Sequence, residues 1–374
     1  MASGYDRALL RAIREGESET LYKGVKVLVK PIPEGGKEGD SDPRLAKAMR
    51  FMPLMLHFIP KPKKNASLQE RIAMPRKMFS EYKGLNLVSE GVNVKHVSVK
   101  SSDGYDVPVR IYTRTDAGAD LPMLVYYHGG GFFGGSPDIV DQMCRLLVRN
   151  IDSVVVNVDY RLCPEAHYPQ PLDDCWAATC WAYAHARELG ASGGKIAVSG
   201  DSAGGKLAAA VTLRDREEKT GMVGLQALIY PAVNIAGAYT EFYMGTDPSL
   251  YRTTPRSMKG VLAMYRMMNM LVSGGNGNLL EDVYLQGNIS PEHIYASPIL
   301  DDFHALPPTL LAFGEHDFLA FEDFAYARHA VKAGVRLRTI IYRGLGHGFA
   351  DQIGVMPQAE DLIEEIARMM KEVL

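Results

Sequence analysis

The stretch Gly200-Asp201-Ser202-Ala203-Gly204-Gly205 decides the fold prediction for this chain. It matches the pattern G-x-S-x-G and stands between a predicted buried strand, residues 195–199, and a predicted helix, residues 206–218, which is the context that this motif requires. In so tight a turn, side chains two positions before and two after the serine would clash, which accounts for Gly200 and Gly204. The Ser202 hydroxyl would then lie at a helix amino terminus, where free N–H groups favour an oxyanion.

Apolar strands and helices alternate on both sides of this turn. Continuous apolar runs separated by helical segments predict a mostly parallel central sheet that is covered by helices on both faces. The predicted strands are residues 121–127, 154–158, 195–199, 225–229, 309–313 and 337–342, and the predicted helices are residues 139–149, 171–189, 206–218, 321–333 and 358–373.

Other parts of the chain depart from this alternation. The first ninety residues contain clustered prolines and glycines, which predict short helices broken by loops. Alternating valines then predict two antiparallel strands, residues 92–99 and 107–111. An insertion at about residues 232–295, with a Met-rich predicted helix over 258–272, is too long for a simple strand-to-helix connection. We therefore predict a helical cap or extension over residues 1–90 and a catalytic domain over 91–374, with the insertion completing the cap.

A second glycine-rich motif, His128-Gly129-Gly130-Gly131-Phe132-Phe133-Gly134-Gly135, directly follows the strand that ends at Tyr127. Three consecutive glycines cost backbone entropy, so such a run serves a close approach of the backbone, here with N–H groups aimed into a pocket. Phosphate binding is the competing use, but the P-loop ending and the G-x-G-x-x-G spacing are absent. His128 is interpreted as a structural histidine that braces this loop.

The candidate base is His347, in Gly344-Leu345-Gly346-His347-Gly348-Phe349, on a loop past the last predicted strand. A histidine there can reach over the sheet to Ser202, and the imidazole pKa near neutrality suits a general base that later acts as an acid.

The candidate acid is Asp317, just past the carboxyl end of the predicted strand 309–313, where sites of open α/β sheets form. Glu315, Glu322 and Asp323 compete for this role, and each is also interpretable as a solvated loop charge. The chain order Ser202, Asp317, His347 is that of nucleophile, acid and base in α/β-hydrolases.

Composition excludes several classes of protein. The 374 residues include 41 Lys and Arg against 44 Asp and Glu, a net charge of −3, with 23% charged and 47% hydrophobic residues. These values exclude a basic nucleic-acid binder, an acidic tail protein, collagen and a wholly disordered chain.

No apolar run reaches the roughly 18 residues that span a bilayer. The best candidate, residues 49–59, is interrupted by Arg50, Pro53 and His57, so we expect no stable membrane insertion, although this segment leaves contact with lipid open.

The cysteines indicate neither a metal site nor a disulfide framework. Cys144, Cys163, Cys175 and Cys180 have spacings that match neither zinc-binding nor small disulfide-rich patterns, and we interpret them as buried or idle thiols. The amino terminus lacks the basic and apolar regions of a secretory signal. We therefore expect a cytoplasmic protein without a metal.

Several motifs together resemble those of one known family. They are His128 to Gly131, Val158-Asp159-Tyr160-Arg161-Leu162 with Pro164-Glu165, Gly200 to Gly205, Tyr295-Ala296-Ser297-Pro298, Asp317, and His347-Gly348-Phe349. From about residue 92 to the carboxyl terminus the chain resembles the hormone-sensitive-lipase-like branch of the α/β-hydrolases.

This resemblance implies an α/β-hydrolase fold and a residue-by-residue assignment of the site. Ser202 is implied as nucleophile, His347 as base and Asp317 as acid, and no metal or organic cofactor is implied. The N–H groups of Gly130, Gly131 and Ala203 would form the oxyanion hole. The remaining residues of the two glycine motifs, His128, Gly129, Gly200 and Gly204, would support them, and the charged residues of 159–165 would brace the fold.

Two departures from the family pattern concern the acid and the cap. Phe318 stands where the family usually has a proline after the acid. The amino-terminal extension is longer than in compact members of the family, so substrate choice does not carry over from the resemblance.

The resemblance implies a carboxylesterase that hydrolyses short- to medium-chain acyl esters through an acyl-enzyme. Phe132 and Phe133, with cap residues Met264, Tyr265 and Met268, are expected to line an apolar acyl pocket. An amide or lactone hydrolase with the same triad stays open, because the leaving group decides between them. A non-catalytic receptor on this scaffold, of the gibberellin-receptor kind, is disfavoured, since such proteins lose the base. The expected partner is a small-molecule ester and not nucleic acid, and a homodimer is left open.

Overall fold

The computed structural model describes residues 4–50, 66–273 and 278–374, and its described strands form a single ten-stranded sheet. The strands are β1 Ser18–Tyr22, β2 Val25–Lys30, β3 Val92–Lys100, β4 Asp106–Arg114, β5 Met123–Tyr127, β6 Val154–Val158, β7 Ile196–Asp201, β8 Val223–Ile229, β9 Thr309–Gly314 and β10 Leu337–Tyr342. Their order in the sheet is β1-β2-β10-β9-β8-β7-β5-β6-β4-β3.

The centre of the sheet is parallel and its far edge is antiparallel, as predicted. Strands β6, β5, β7, β8, β9 and β10 pair in parallel, while β3 pairs with β4 and β4 with β6 in antiparallel register. All residues of β5, β6, β7, β8 and β9 are buried, which is why these segments read as continuous apolar runs. The predicted strand positions are confirmed to within a few residues.

Helices pack on both faces of the sheet, which confirms the predicted layering. The described helices are α1 Arg7–Glu15, α2 Pro43–Met49, α3 Leu68–Phe79, α4 Asp141–Asn150, α5 Gln170–Ala184, α6 Ala203–Glu217, α7 Pro255–Ser273, α8 Ala320–Lys332 and α9 Pro357–Val373. One face carries α9, which contacts both α1 and α4, and the other carries α5, α6 and α8.

The amino-terminal segment differs from the expected run of short helices, because β1 and β2 form a hairpin that joins the central sheet. Strand β2 pairs in parallel with β10, and Val27 lies opposite Thr339. Lys23 and Gly24 form the turn with positive φ angles of 47° and 85°, the backbone that closes a two-residue hairpin. The division into domains at residue 90 stays a prediction, but the segment before it is not purely helical.

A buried lysine fastens this hairpin to the last helix. Lys30 has no exposed surface, and its Nζ lies 2.7 Å from a carboxylate oxygen of Glu365 and 3.1 Å from one of Asp361, both on α9. The Tyr342 hydroxyl on β10 also donates to Asp361, at 2.8 Å. A buried ammonium is stable only when it is paired and hydrogen-bonded in this way, so β2, β10 and α9 are held as one unit.

The insertion and the amino-terminal segment meet through α2 and α7. The Met49 side chain packs at Gly260 of α7, where an added Cβ would lie 3.3 Å from the methionine methyl group. The insertion also holds a short π-helical turn at Glu281–Leu285, and short 3₁₀ turns lie at Pro248–Leu250 and Pro298–Leu300. Most of the apolar segment 49–59 considered for lipid contact lies outside the described residues. Among the helices that the structure describes, none is long and apolar enough to cross a membrane.

Candidate active site

Ser202 stands at the sharp turn between β7 and α6 in a strained backbone conformation. Its φ and ψ are 53° and −116°, a region that non-glycine residues enter only when the surrounding structure holds them there. A Cβ on Gly200 would lie 2.4 Å from the Gly204 backbone, and one on Gly204 would lie 2.0 Å from the Tyr127 carbonyl oxygen. The predicted steric reason for both glycines is therefore correct.

The side chains of Ser202, His347 and Asp317 meet at the carboxyl edge of the sheet. His347 Nε2 lies 2.9 Å from Ser202 Oγ. His347 Nδ1 lies 2.9 and 3.0 Å from the two carboxylate oxygens of Asp317. Asp317 follows β9 and His347 follows β10, so the parallel strands bring together groups that are far apart in the chain.

Asp317 is fully buried and held by its own loop. The N–H of Leu319 donates to its carboxylate at 2.9 Å, and the Tyr251 hydroxyl donates to its backbone carbonyl at 2.6 Å. Tyr251 belongs to the insertion, and no sequence signal marks it for this role.

The three competing carboxylates lie elsewhere. Glu315 accepts the N–H of Gly344 at 2.9 Å. Glu322 is buried in α8 and accepts backbone hydrogen bonds from Val233 and Asn234, and burial raises its pKa to about 8. The carboxylate of Asp323 is buried with no hydrogen-bond partner among the described residues. Of the four candidates, Asp317 is the one whose carboxylate contacts His347.

The glycine loop after β5 faces Ser202 with its backbone. Gly130 and Gly131 have φ angles of 122° and 63°, and both line the cavity that contains Ser202 and His347, as does Ala203. Within the described residues, the N–H groups of Gly130, Gly131 and Ala203 donate no hydrogen bond. Three amide donors are thus free in the cavity that Ser202 also lines, and free amides of this kind can stabilise an oxyanion.

Asp201 connects the two glycine motifs. Its carboxylate accepts hydrogen bonds from the Gly129 N–H and from the Tyr126 hydroxyl, both at 2.9 Å. Burial raises the pKa of Asp201 to about 6. This role of Asp201 was not predicted, although its place inside the G-x-S-x-G motif was a signal.

His128 braces the glycine loop from inside the protein. It is fully buried, its Nδ1 donates to the Gly129 carbonyl at 2.8 Å, and its ring stacks on Tyr160 with centroids 4.4 Å apart. Burial lowers its pKa to about 4, so the ring is neutral near pH 7. These contacts agree with the structural interpretation of this histidine.

The cavity at Ser202 measures about 100 Å³ and is lined by residues of the amino-terminal segment and of the insertion. Met78 and Phe79 of α3 line it together with Met268 of α7 and Phe318. The Phe318 ring contacts the His347 ring edge to face, with centroids 4.8 Å apart. The residue that replaces the usual family proline thus packs against the imidazole.

Several residues expected in the acyl pocket lie outside its walls. Phe132 and Phe133 are fully buried and do not line this cavity. A positive φ of 68° turns Phe132 toward Tyr284, on which it stacks at 4.2 Å, and Phe133 stacks on Phe79 at 5.8 Å. Of the predicted methionines, Met268 lines the cavity while Met264 packs over Gly346. The Tyr265 ring faces Tyr251, with centroids 6.3 Å apart.

Comparison with known proteins adds the family context. A family model of the α/β hydrolase fold matches residues 124–351. Carboxylesterase NlhH of Mycobacterium tuberculosis is 33% identical over 257 residues, which cover 68% of this chain and 75% of that protein. Arylacetamide deacetylase of Bos taurus is 30% identical over 317 residues, which cover 72% and 78%.

One solved structure is similar to this chain over most of the length of both proteins. The hyperthermophilic esterase from the archaeon Pyrobaculum calidifontis matches with a TM-score of 0.67 at 30% identity, covering 89% of this chain and 98% of that one. The matched family region contains Ser202, Asp317 and His347.

Proposed function

The chain belongs to the α/β hydrolase fold family, in its hormone-sensitive-lipase-like branch, and from this premise we propose that it is a serine carboxylesterase acting on short- to medium-chain acyl esters. The family match also confirms the fold class predicted from the sequence. The observation that carries the proposal is the series of hydrogen bonds that connects Ser202 Oγ to the His347 ring and the His347 ring to the Asp317 carboxylate.

In the first step, His347 Nε2 takes the hydroxyl proton as Ser202 Oγ attacks the ester carbonyl carbon. Asp317 accepts the Nδ1–H bond, which fixes the tautomer and stabilises the imidazolium. The carbonyl oxygen becomes an oxyanion beside the amides of Gly130, Gly131 and Ala203. Loss of one such donor costs about 2.7–4 kcal/mol in comparable enzymes.

Acylation ends when the imidazolium of His347 gives its proton to the leaving alcohol, which leaves the acyl group bound to Ser202 Oγ. Water then enters, loses a proton to His347 Nε2 and attacks the acyl carbon. Collapse of the second tetrahedral intermediate releases the carboxylic acid and restores the Ser202 hydroxyl. The chain's own groups supply each proton transfer.

The size of the cavity supports a short acyl group over a long one. Its volume of about 100 Å³ is below the roughly 300–1,000 Å³ of sites that enclose drug-sized ligands. The side chains of Met78, Phe79, Met268 and Phe318 make much of its wall apolar. A small apolar acyl chain would lose its hydration there, whereas a long chain would have to leave the cavity.

A second candidate, amide hydrolysis, is favoured by one relative. Arylacetamide deacetylase is named for an amide substrate, and it is 30% identical to this chain. The triad chemistry is the same for an anilide, with an amine as leaving group instead of an alcohol.

The test is a panel of p-nitrophenyl acetate, butyrate and octanoate with the matching p-nitroanilides. We expect kcat/KM to be highest for acetate or butyrate and lower for octanoate and for every anilide. Faster turnover of the anilides would favour the amidase, and an inert protein would favour a receptor. Ser202→Ala should abolish both turnover and covalent labelling by a fluorophosphonate, and labelling at an unchanged rate would contradict the nucleophile assignment.

We further propose a cytoplasmic location and a small-molecule ester as the partner. The four cysteines support a reducing compartment, because all of them are free thiols and three are buried. Fractionation of the native host with detection of this protein tests the location, and recovery outside the cytoplasm would overturn it.

A further inference from the structure

A second cavity, called here the hairpin cavity, lies between the β1–β2 hairpin, helix α8 and the insertion at residues 242–252. It measures about 520 Å³, a size that encloses a drug-sized molecule. None of its lining residues lines the cavity at Ser202. It therefore forms a separate compartment, on the far side of the loop that carries Asp317.

The walls of the hairpin cavity are largely apolar and aromatic. Val27 and Ile341 of the sheet form one side, and Phe321 and Phe324 of α8 form another. The Tyr22 ring lies 5.0 Å from the Phe324 ring, between centroids. These surfaces suit an apolar body and an aromatic ring in particular.

Arg328 lines this cavity without a carboxylate partner among the described residues. The Arg328 guanidinium lies over the Phe242 ring, 4.0 Å from its centroid, and no carboxylate of the described residues lies within ion-pair distance of it. The nearby Glu241 is already paired with Lys332. Arg328 therefore offers planar N–H donors next to an apolar wall.

The other charged groups that line the cavity are largely engaged. Arg252 pairs with Glu38, and Arg343 lies 3.9 Å from the same carboxylate. Glu315 accepts the Gly344 N–H. The fourth cation, Lys23, lies with its Nζ 5.3 Å from the centroid of the Tyr22 ring and has no ion pair among the described residues. Four cationic side chains line the cavity against two carboxylates, so its net charge is positive and favours an anionic ligand.

We infer that the hairpin cavity is a binding site for an apolar monocarboxylate, with its carboxylate on Arg328 and its hydrocarbon or aromatic body against Phe321, Phe324 and Tyr22. The guanidinium binds a carboxylate through two parallel hydrogen bonds, which a neutral amide cannot match. The inference does not depend on the proposed esterase activity, because binding requires no turnover.

Calorimetric titration of the full chain with 4-phenylbutyrate tests this inference. We expect saturable binding that weakens at least tenfold in Arg328→Gln and at least tenfold when 4-phenylbutyramide replaces the acid. Arg328→Lys should bind with intermediate affinity, since it keeps the charge without the planar donors. Arg11→Gln, a change at an exposed arginine on the opposite face of the sheet, is the matched control and should bind as the wild type does.

Three results would overturn the inference: no heat of binding at millimolar 4-phenylbutyrate, equal affinity for the amide, or equal affinity in Arg328→Gln. Thermal melts of each variant show that it is folded before titration. Repeating the titration with Ser202→Ala separates this site from the esterase proposal, because affinity should stay unchanged in a protein that cannot form an acyl-enzyme.

Discussion

The carboxylate of Asp201 accepts a hydrogen bond from the backbone N–H of Gly129, 2.9 Å away. This contact joins the residue before Ser202, the proposed nucleophile, to the loop that carries Gly130 and Gly131, two of the proposed oxyanion donors. The Asp201 side chain thus connects these two parts of the proposed site without being assigned a step of the reaction.

Replacing Asp201 by Ala should lower kcat by up to about 100-fold with little change in KM, because the oxyanion donors lose their support. Asp201→Asn keeps an acceptor oxygen for Gly129 and Tyr126 and should remain within about threefold of the wild type. Steady-state kinetics on p-nitrophenyl butyrate measure both. Wild-type kcat in Asp201→Ala would show that the contact does not position the loop.

Asp317→Asn should reduce kcat by about 10⁴-fold while the fold stays intact, since the amide no longer fixes the imidazole tautomer or stabilises its charge. Glu322→Gln is the control, because Glu322 is a buried carboxylate near Asp317 that does not contact His347. The same kinetic assay, with circular dichroism to monitor folding, compares the two. A larger loss in Glu322→Gln would mean that the acid is assigned wrongly.

Glu322 should make the stability of the protein fall as pH rises. Burial raises its pKa to about 8 in the folded state, against about 4.3 for a free glutamate, so the folded state retains a proton that the unfolded state releases. The contribution of Glu322 to the free energy of unfolding is therefore fully present below about pH 4, and it is lost as the pH rises to about 8.

Glutamine at position 322 does not titrate. The free energy of unfolding of Glu322→Gln should therefore rise relative to that of the wild type between pH 5 and pH 8, and the difference should stay constant above pH 8. Urea unfolding at pH 5, 7 and 9 measures the difference. Glu292→Gln, at an exposed carboxylate, is the control. A difference that is constant with pH would show that Glu322 is ionised in the folded protein.

Lys206 should have the opposite pH dependence. It is fully buried, its Nζ donates to the Tyr284 hydroxyl at 2.8 Å, and burial lowers its pKa well below the ordinary value. The unfolded state therefore binds a proton that the folded state does not, and wild-type stability rises with pH toward 10. Lys206→Met should be more stable than the wild type near pH 7, with a gap that narrows by pH 10. Thermal melts across this range measure the gap, and a gap that widens with pH contradicts the argument.

The positions of Ser202, Asp317 and His347 were predictable because each follows a recognisable buried strand. Parallel strands place their carboxyl ends at one edge, so short motifs suffice to predict a long-range contact. The orientations of Phe132 and Phe133 were not predictable in this way. They depend on a positive φ and on Tyr284 and Phe79, which neighbouring residues in the chain do not indicate.

The β1–β2 hairpin was missed although its signal is present. Val25, Val27 and Val29 alternate with Lys26, Leu28 and Lys30, and Gly24 suits the second position of a two-residue hairpin turn. The prolines and glycines that follow, from Pro31 to Gly39, are typical of loops and obscure this short pattern. The pairing of Lys30 with Asp361 and Glu365 was beyond the sequence, because it joins residues near opposite ends of the chain.

The hairpin has a further consequence for shortened forms of the protein. Strand β2 covers the outer side of β10 along Thr339–Tyr342 and satisfies its backbone groups there. A fragment that begins after residue 30 would lack β2, so this side of β10 would be an unpaired edge. It would also lack Lys30, whose ammonium pairs with the carboxylates of Asp361 and Glu365. Bare strands recruit strands from other copies, so such a fragment is expected to self-associate rather than yield a minimal enzyme.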